Sequence, residues 1–210
     1  LFTSLGETKG ITISGLWVYD GASFMATKPI AKISDFKGLK IRVLATEIER
    51  LSVATLGATG VPIPFTEVVP AIQRRVVDGA RTSLVVAAKA KFPTVTDNLT
   101  ITNGYYIPCI SAFSKVWLSK LSKEHRAIVL DTADELGNWA SARSESFVTK
   151  MIAEWKKSGA KVAYFSDAEQ KEYMGRLQPL GDKVFLNHKN ADIRRLYPIL
   201  KAAAARQDVR

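Results

Sequence analysis

The sequence predicts an α/β fold in which short strands alternate with helices and form short parallel sheets. Three observations predict it. Segments rich in β-branched and aromatic residues alternate with segments of helical spacing over the first half of the chain. One segment, Ser122–Gly159, keeps helical spacing over roughly 34 residues. Hydrophobic residues make up 47% and charged residues 24% of the 210 residues, a composition typical of a globular protein with a sizeable core.

The first elements follow from alternation and from turn residues. Residues 11–19 alternate loosely and predict a strand that Asp20-Gly21 ends. A helical turn at 34–38, with Ser34 as its cap and Gly38 as its stop, leads into an alternating strand at 39–43. The pattern then predicts a helix at 47–56, ended by Gly57, and a strand at 61–64.

The next elements lead to the long helix. Residues 67–77 have helical spacing. Residues 81–88 form a near-continuous apolar run, which is typical of a buried strand and can pass into a helix near Phe92. Further strands are expected at 99–101 and 105–113.

The long helical segment is the most informative part of the chain. Ser122 can cap it and Gly159 can end it. At 1.5 Å per residue it would extend about 50 Å, which exceeds the diameter of a small domain. The segment is therefore expected to pack against two separate bodies, with a bend permitted at Gly137 or near Arg143. Two helices divided near Gly137 are the alternative.

The last third of the chain completes the alternation. Residues 161–165 predict a strand, and Asp167 is expected to cap the helix that follows it. The tail at 187–210 is predicted to be helical and polar.

Composition and motifs exclude several classes of function. The formal net charge of +10 comes from scattered basic residues without a nucleic-acid-binding motif, so no nucleic-acid partner is expected. No apolar run is long enough to cross a bilayer. His125 and His188 stand outside any nucleophile or metal-ligand spacing, and no phosphate-binding glycine motif is present. Catalysis, a metal site and a cofactor are therefore not expected.

Several stretches resemble one protein family. They are Asp35-Phe36-Lys37-Gly38-Leu39-Lys40-Ile41-Arg42-Val43, Val61-Pro62-Ile63-Pro64-Phe65, Val76-Val77-Asp78-Gly79 and Phe113-Ser114-Lys115-Val116-Trp117. Their order and spacing are similar to those of DctP-type solute-binding proteins of TRAP (tripartite ATP-independent periplasmic) transporters. The resemblance covers most of the chain.

The resemblance implies a periplasmic-binding-protein-like fold of two α/β lobes, joined by crossing strands and by one long interlobe helix. It assigns residues 1–19 and 108–147 to the first lobe, which is expected to be incomplete here. Residues 20–107 and 148–210 would form the second lobe. The implied role is the periplasmic capture of a small organic acid for the membrane subunits of the transporter. A ligand-sensing or interaction domain on the same fold is the alternative, and an enzyme is a more distant one.

The resemblance places the ligand-clamping arginine at Arg42. A guanidinium is suited to this role because its planar fork offers a carboxylate two parallel, charge-assisted hydrogen bonds. On a strand, the Arg42 side chain faces away from those of Ile41 and Val43, which is also what a solvent-facing arginine would do. Phe65 aligns with an aromatic residue that packs on the ligand, and core packing is its alternative role.

Five further residues are candidate ligand contacts. Arg81, Thr82 and Ser83 follow Asp78-Gly79, where the resemblance implies polar contacts. Arg81 is interpreted either as a second cation for a dicarboxylate or as an outward surface arginine. Trp17 and Tyr19 lie on the first crossing strand and are expected to wall the cleft.

Overall fold

The structure is a computed structural model that describes residue 6 and residues 9–205, apart from the side chains of Tyr19 and Asn103. The strands are Ile11–Ala26 (β1), Lys40–Val43 (β2), Thr59–Pro62 (β3), Gly79–Ser83 (β4), Asn98–Ser114 (β5) and Lys161–Tyr164 (β6). The helices are Glu47–Thr55 (α1), Val68–Gln73 (α2), Leu84–Lys89 (α3), Lys115–Leu118 (α4), Lys123–Lys157 (α5), Asp167–Phe185 (α6) and Ala191–Ala204 (α7). Short 3-10 helices occur at Ile33–Phe36, Phe65–Glu67 and Phe92–Thr94.

The described strands form one mixed sheet in the order β3-β2-β4-β1-β5-β6. Strand β2 is parallel to β3 and β4, and β5 is parallel to β6. Strand β1, however, is antiparallel to both β4 and β5. The expected short parallel pairings are therefore present, and the antiparallel crossing strand joins them into one sheet. Alternation in a sequence identifies strands but not the direction in which they pair.

The two central strands are longer than their local patterns predict. Asp20-Gly21 does not end β1, and residues 99–113 form part of one strand instead of two. The pairing of β1 with β5 continues through register shifts on either side of Gly21. These register shifts are β-bulges. The Asp-Gly pair therefore bends β1, although the same pair would end an isolated strand.

Several boundaries also differ from the sequence pattern by local effects. Lys32 precedes the 3-10 helix that Ser34 was expected to cap, and Ser166 caps α6 in place of Asp167. The segment predicted as one helix at 67–77 contains a helix only at Val68–Gln73, after which Arg75 takes a positive φ of 59°. The apolar run at 81–88 divides between the end of β4 and α3, because Ser83 caps that helix.

Each face of the sheet carries its own hydrophobic cluster. On one face, which we call the α5 face, residues of α2, α3 and α5 pack together with Met25 and Leu99 of the sheet. On the opposite face, the α6 face, residues of α1 and α6 pack with Phe24 and Ile41. Phe24 and Met25 point to opposite faces because side chains alternate along a strand.

The long helix α5 is continuous over 35 residues, so the alternative of two helices divided near Gly137 is wrong. Ser122 caps it by accepting a hydrogen bond from the backbone N–H of His125, and Gly159 follows its end with a φ of 86°. Gly137 is needed for close packing, since a Cβ there would lie 3.0 Å from the carbonyl oxygen of Leu16. A helix of this length extends about 50 Å.

The two halves of α5 contact different parts of the molecule. In the first half, the Asp134 carboxylate accepts hydrogen bonds from the Ser14 hydroxyl at 2.7 Å and from the backbone N–H of Gly15 at 2.6 Å. In the second half, Met151 and Trp155 are buried in the cluster of the α5 face. The helix therefore connects the outer part of β1 with the hydrophobic cluster of the α5 face.

The Asp134 contact predicts a pH-dependent stability. Hydrogen bonds from Ser14 and Gly15 hold the pKa of Asp134 below its usual value of 3.8. The stabilisation is therefore fully present above pH 3.8 and is lost as the pH falls through the lower pKa of the folded state. We expect Asp134→Ala to lower the melting temperature more at pH 7 than at pH 3, as measured by circular dichroism.

The matched control for this prediction is Asp131→Ala, because Asp131 is exposed on the same helix three residues earlier. Its effect on the melting temperature is expected to be small at both pH values. An equal loss in Asp134→Ala at pH 3 and pH 7 would contradict the proposed role of the ionised carboxylate.

Candidate functional site

The sheet has a switch point between β2 and β4. The chain leaves β2 through α1, on the α6 face, and adds β3 on one side. It then returns through α2, on the α5 face, and adds β4 on the other side of β2. Ligands in open α/β sheets bind outside the carboxyl ends of the strands at such points, because the connecting helices diverge and leave a crevice. Arg42 lies near the carboxyl end of β2, and Thr82 and Ser83 end β4.

Arg42 is a buried cation at this edge. Only 3% of the residue is exposed, so the interpretation of Arg42 as a solvent-facing side chain is wrong. Its Nε donates a hydrogen bond to the carbonyl oxygen of Ile63 at 2.9 Å. Burial lowers the pKa of Arg42, and the nearby Glu49 opposes this effect.

No ion pair of Arg42 is found within residues 9–205. A guanidinium removed from water is stable only if its N–H groups find acceptors, and an anion is the strongest of these. The position of Arg42 is therefore suited to binding a carboxylate.

Phe65 lies next to Arg42. The guanidinium carbon of Arg42 is 5.7 Å from the centre of the Phe65 ring, which is within the range of a cation–π contact. The ring also stacks on the buried Phe92, with 6.0 Å between the ring centres, and 36% of Phe65 remains exposed. Phe65 thus takes part in core packing and still presents aromatic surface beside Arg42.

Thr82 and Ser83 differ in what their hydroxyl groups contact. Residue Ala80 pairs with Arg42, so Thr82, two residues further along β4, points to the same face of the sheet. Within the described part of the chain its hydroxyl forms no hydrogen bond to protein. Ser83 is buried, and its hydroxyl accepts a hydrogen bond from the N–H of Val86 at the start of α3.

The comparison with known protein families identifies the chain. A family model described as bacterial extracellular solute-binding protein, family 7 (DctP), matches residues 1–188. The chain belongs to this family. The family resemblance inferred from the sequence is thereby confirmed.

Curated relatives of this DctP-family chain are moderately similar. It is 27% identical over 172 residues to the 2,3-diketo-L-gulonate-binding periplasmic protein YiaO of Escherichia coli, covering 81% of this chain and 52% of the relative. It is 28% identical over 154 residues to the C4-dicarboxylate-binding protein DctB of Bacillus subtilis, covering 72% of this chain and 44% of the relative. The chain thus spans about half the length of these relatives.

Solved structures confirm the expected periplasmic-binding-protein-like fold. A TRAP periplasmic solute-binding protein from Desulfovibrio salexigens with bound orotic acid aligns with a TM-score of 0.84 at 23% identity. The periplasmic ectoine-binding protein of the TeaABC TRAP transporter of Halomonas elongata aligns with a TM-score of 0.86 at 21% identity. Each alignment covers 96% of this DctP-family chain and 66% of the other chain.

Arg81 lies on the opposite side of the sheet from Arg42, because it neighbours Thr82 on an alternating strand. Only 1% of the residue is exposed, so the interpretation of Arg81 as an outward surface arginine is wrong. Its guanidinium carbon is 4.1 Å from the centre of the Tyr105 ring, and its Nη2 donates to the Tyr173 hydroxyl at 3.3 Å. The structure therefore does not bring the two arginines together on one face.

The sequence analysis did not select Glu49 and Tyr105 as site residues. Glu49 lies in the first turn of α1, directly after β2, and its Oε1 accepts a hydrogen bond from the Tyr105 hydroxyl. Burial raises the pKa of Tyr105, which therefore stays protonated and remains a donor to Glu49. Glu49 was visible in the sequence only as one of several acidic residues. Its partner lies 56 residues away, and no local pattern connects the two.

The two aromatic candidates on β1 lie further along the crossing strand. Trp17 is half-buried and pairs with Cys109 of β5, five residues before the part of β1 that pairs with β4. The side chain of Tyr19 lies outside the described residues. Their role as cleft walls stays a prediction.

Two features typical of other classes of site are not found in the described residues of this DctP-family chain. Within the part of the chain that the structure covers, no helix is long and apolar enough to span a membrane. The same residues contain no group of three His, Cys, Asp or Glu side chains placed to hold a metal ion.

Proposed function

We propose that this chain forms the ligand-capturing part of a periplasmic solute-binding protein of a TRAP transporter. It would bind a small organic carboxylate at the carboxyl ends of β2 and β4 and deliver it to the membrane subunits. The observation that carries this proposal is Arg42, a buried cation at the switch point without an ion-pair partner in residues 9–205.

The geometry around Arg42 supports a defined mode of capture. Because Nε is held by the carbonyl oxygen of Ile63, the two terminal nitrogens remain for the two oxygens of a carboxylate. The exposed part of Phe65 would then cover the apolar part of the ligand, and the Thr82 hydroxyl would donate a further hydrogen bond. Binding of this kind needs no chemical step and no cofactor.

The names of several relatives support a carboxylate as the ligand class. One relative is a C4-dicarboxylate-binding protein, and solved structures of TRAP solute-binding proteins contain β-D-galacturonate, L-malate or malonate. These ligands differ in size and in hydroxyl pattern, and all of them carry a carboxylate. A single well-placed arginine is the minimal site that such a set requires.

We further propose the division into lobes that the sequence analysis predicts, at residues 1–19 plus 108–147 and 20–107 plus 148–210. The contact between Asp134 and Gly15 supports a unit built on the outer ends of β1 and β5. The two clusters on the faces of the sheet support a second unit. The helix α5 would connect both units and hold them at a fixed separation.

A thermal-shift screen tests the proposed function in the protein expressed from the full coding region that contains this chain. The probes are malate, succinate, malonate and galacturonate, each compared with its amide. We expect at least one acid to raise the melting temperature in a saturable way, since a ligand at a hundred times its Kd stabilises the folded state by about 2.7 kcal/mol. A panel in which no acid acts, or in which the amides act equally well, would contradict a site built on Arg42.

A further inference from the structure

A cavity lies on the α6 face, on the opposite side of the sheet from the Arg42 side chain. It has a volume of about 310 Å³ and lies between α1 and α6, with the exposed Gln178 at its rim. Apolar side chains of the two helices line it together with three polar residues of its floor: Arg81, Glu49 and Tyr105. A water molecule occupies about 30 Å³ in the liquid, so the cavity has room for about ten non-hydrogen atoms.

The floor of this cavity contains a buried ion pair, several of whose polar atoms have no hydrogen-bond partner among the described residues. The Arg81 side chain is 0% exposed, and its Nε and Nη1 have no hydrogen-bond partner among the described residues. The Oε2 of Glu49 is also buried without a partner there, whereas its Oε1 is bonded to Tyr105. Arg81 Nη1 and Glu49 Oε1 are 4.0 Å apart, which is too far for a hydrogen bond.

Buried polar atoms without hydrogen bonds are costly, and they are rare in folded proteins unless a ligand or water completes them. A simple carboxylate would pair with Arg81 but would be repelled by Glu49. A simple amine would pair with Glu49 but would be repelled by Arg81. A molecule that carries both a carboxylate and an ammonium group satisfies both residues.

We infer that the cavity between α1 and α6 binds a small zwitterion with an apolar side chain, of the α-amino acid class. Its carboxylate would accept hydrogen bonds from Arg81, and its ammonium group would donate to Oε2 of Glu49. Its side chain would pack against Met174, Leu177 and Phe185, which line the cavity above the charged floor. The inference goes beyond the capture of an organic acid at Arg42, and it uses none of the three residues proposed to contact that acid.

Titration calorimetry with L-leucine as the probe tests this inference in the protein expressed from the full coding region. Isocaproate, which lacks the ammonium group, and isoamylamine, which lacks the carboxylate, are the matched ligands. We expect saturable binding of leucine that is at least about tenfold tighter than binding of either analogue, because each analogue leaves polar atoms of Arg81 or of Glu49 without a hydrogen bond. Binding of isocaproate as tight as that of leucine, or no heat from leucine at millimolar concentration, would overturn the inference.

Three variants locate the binding. Glu49→Gln keeps the shape of the side chain and removes its charge, and it is expected to weaken leucine binding by about tenfold or more. Leu177→Trp fills the cavity from a partly exposed position and is expected to abolish leucine binding while binding of organic acid at Arg42 persists. The control, Arg74→Met, changes an exposed arginine and is expected to leave leucine binding unchanged. Leucine binding that survives in Leu177→Trp would place it elsewhere and would overturn the inference.

Discussion

Replacing Arg42 by methionine is expected to weaken binding of the organic acid about a hundredfold. The variant keeps much of the side-chain volume but removes the charge that a buried carboxylate needs. Truncating one partner of a buried charged pair costs about 3 kcal/mol, and about 1.4 kcal/mol corresponds to a factor of ten in Kd. The measurement is titration calorimetry with the acid that gives the largest thermal shift.

Two further variants make the Arg42 prediction specific. Arg42→Lys keeps the charge but loses the planar fork, so its affinity should fall between those of the wild type and Arg42→Met. Arg74→Met removes an exposed arginine at the end of α2 and should leave the affinity unchanged. An unaltered Kd in a folded Arg42→Met protein would remove Arg42 from the site and, with it, the main support for the proposed function.

Replacing Gly15 by alanine is expected to lower the free energy of unfolding by about 4 kcal/mol. Gly15 has a φ of 67°, and an added Cβ would lie 2.2 Å from the carbonyl oxygen of Ala133 in α5. Backbone strain at such a φ costs about 1–3 kcal/mol, and forced overpacking costs about the same again. The loss is a large part of the 5–15 kcal/mol that typically stabilises a domain. Urea unfolding followed by tryptophan fluorescence measures it.

The matched control is Gly10→Ala. Gly10 has nearly the same φ, 69°, but a Cβ there would meet nothing within 4 Å. It should therefore cost only the strain of the backbone, about 1–2 kcal/mol. Equal losses in the two variants would mean that the close approach of α5 to β1 contributes nothing measurable.

Elements whose signals are local could be predicted from the sequence. The helix α5 is an example, because Ser122, Gly159 and the spacing between them are all read along one segment. The continuity of β1 through Asp20-Gly21 could not be predicted in this way. There the local turn signal is overridden by β5, whose hydrogen bonds continue on both sides of the bulge.

The residues of the candidate site also differ in how far the sequence could predict them. Family resemblance selected Arg42 and Phe65. In the structure, the guanidinium carbon of Arg42 lies 5.7 Å from the centre of the Phe65 ring. The burial of Arg81 depends on the register of β4 against β2, which pairs Ala80 with Arg42 and turns Arg81 to the other face. No pattern within residues 79–83 specifies that register, since it is set by contacts between strands that are distant in sequence.

The outer ends of β1 and β5 pair with each other and, within the described residues, with no other strand. Strand β4 pairs with β1 only from Ala22 onward, and β6 pairs with β5 only up to Ile101. The outer edges of this ribbon pair with no described strand, and they lie beside exposed apolar side chains such as Leu16 and Ile110. Such edges are templates for adding a strand from another molecule. We therefore expect this ribbon to promote self-association, so that the oligomeric state should depend on protein concentration.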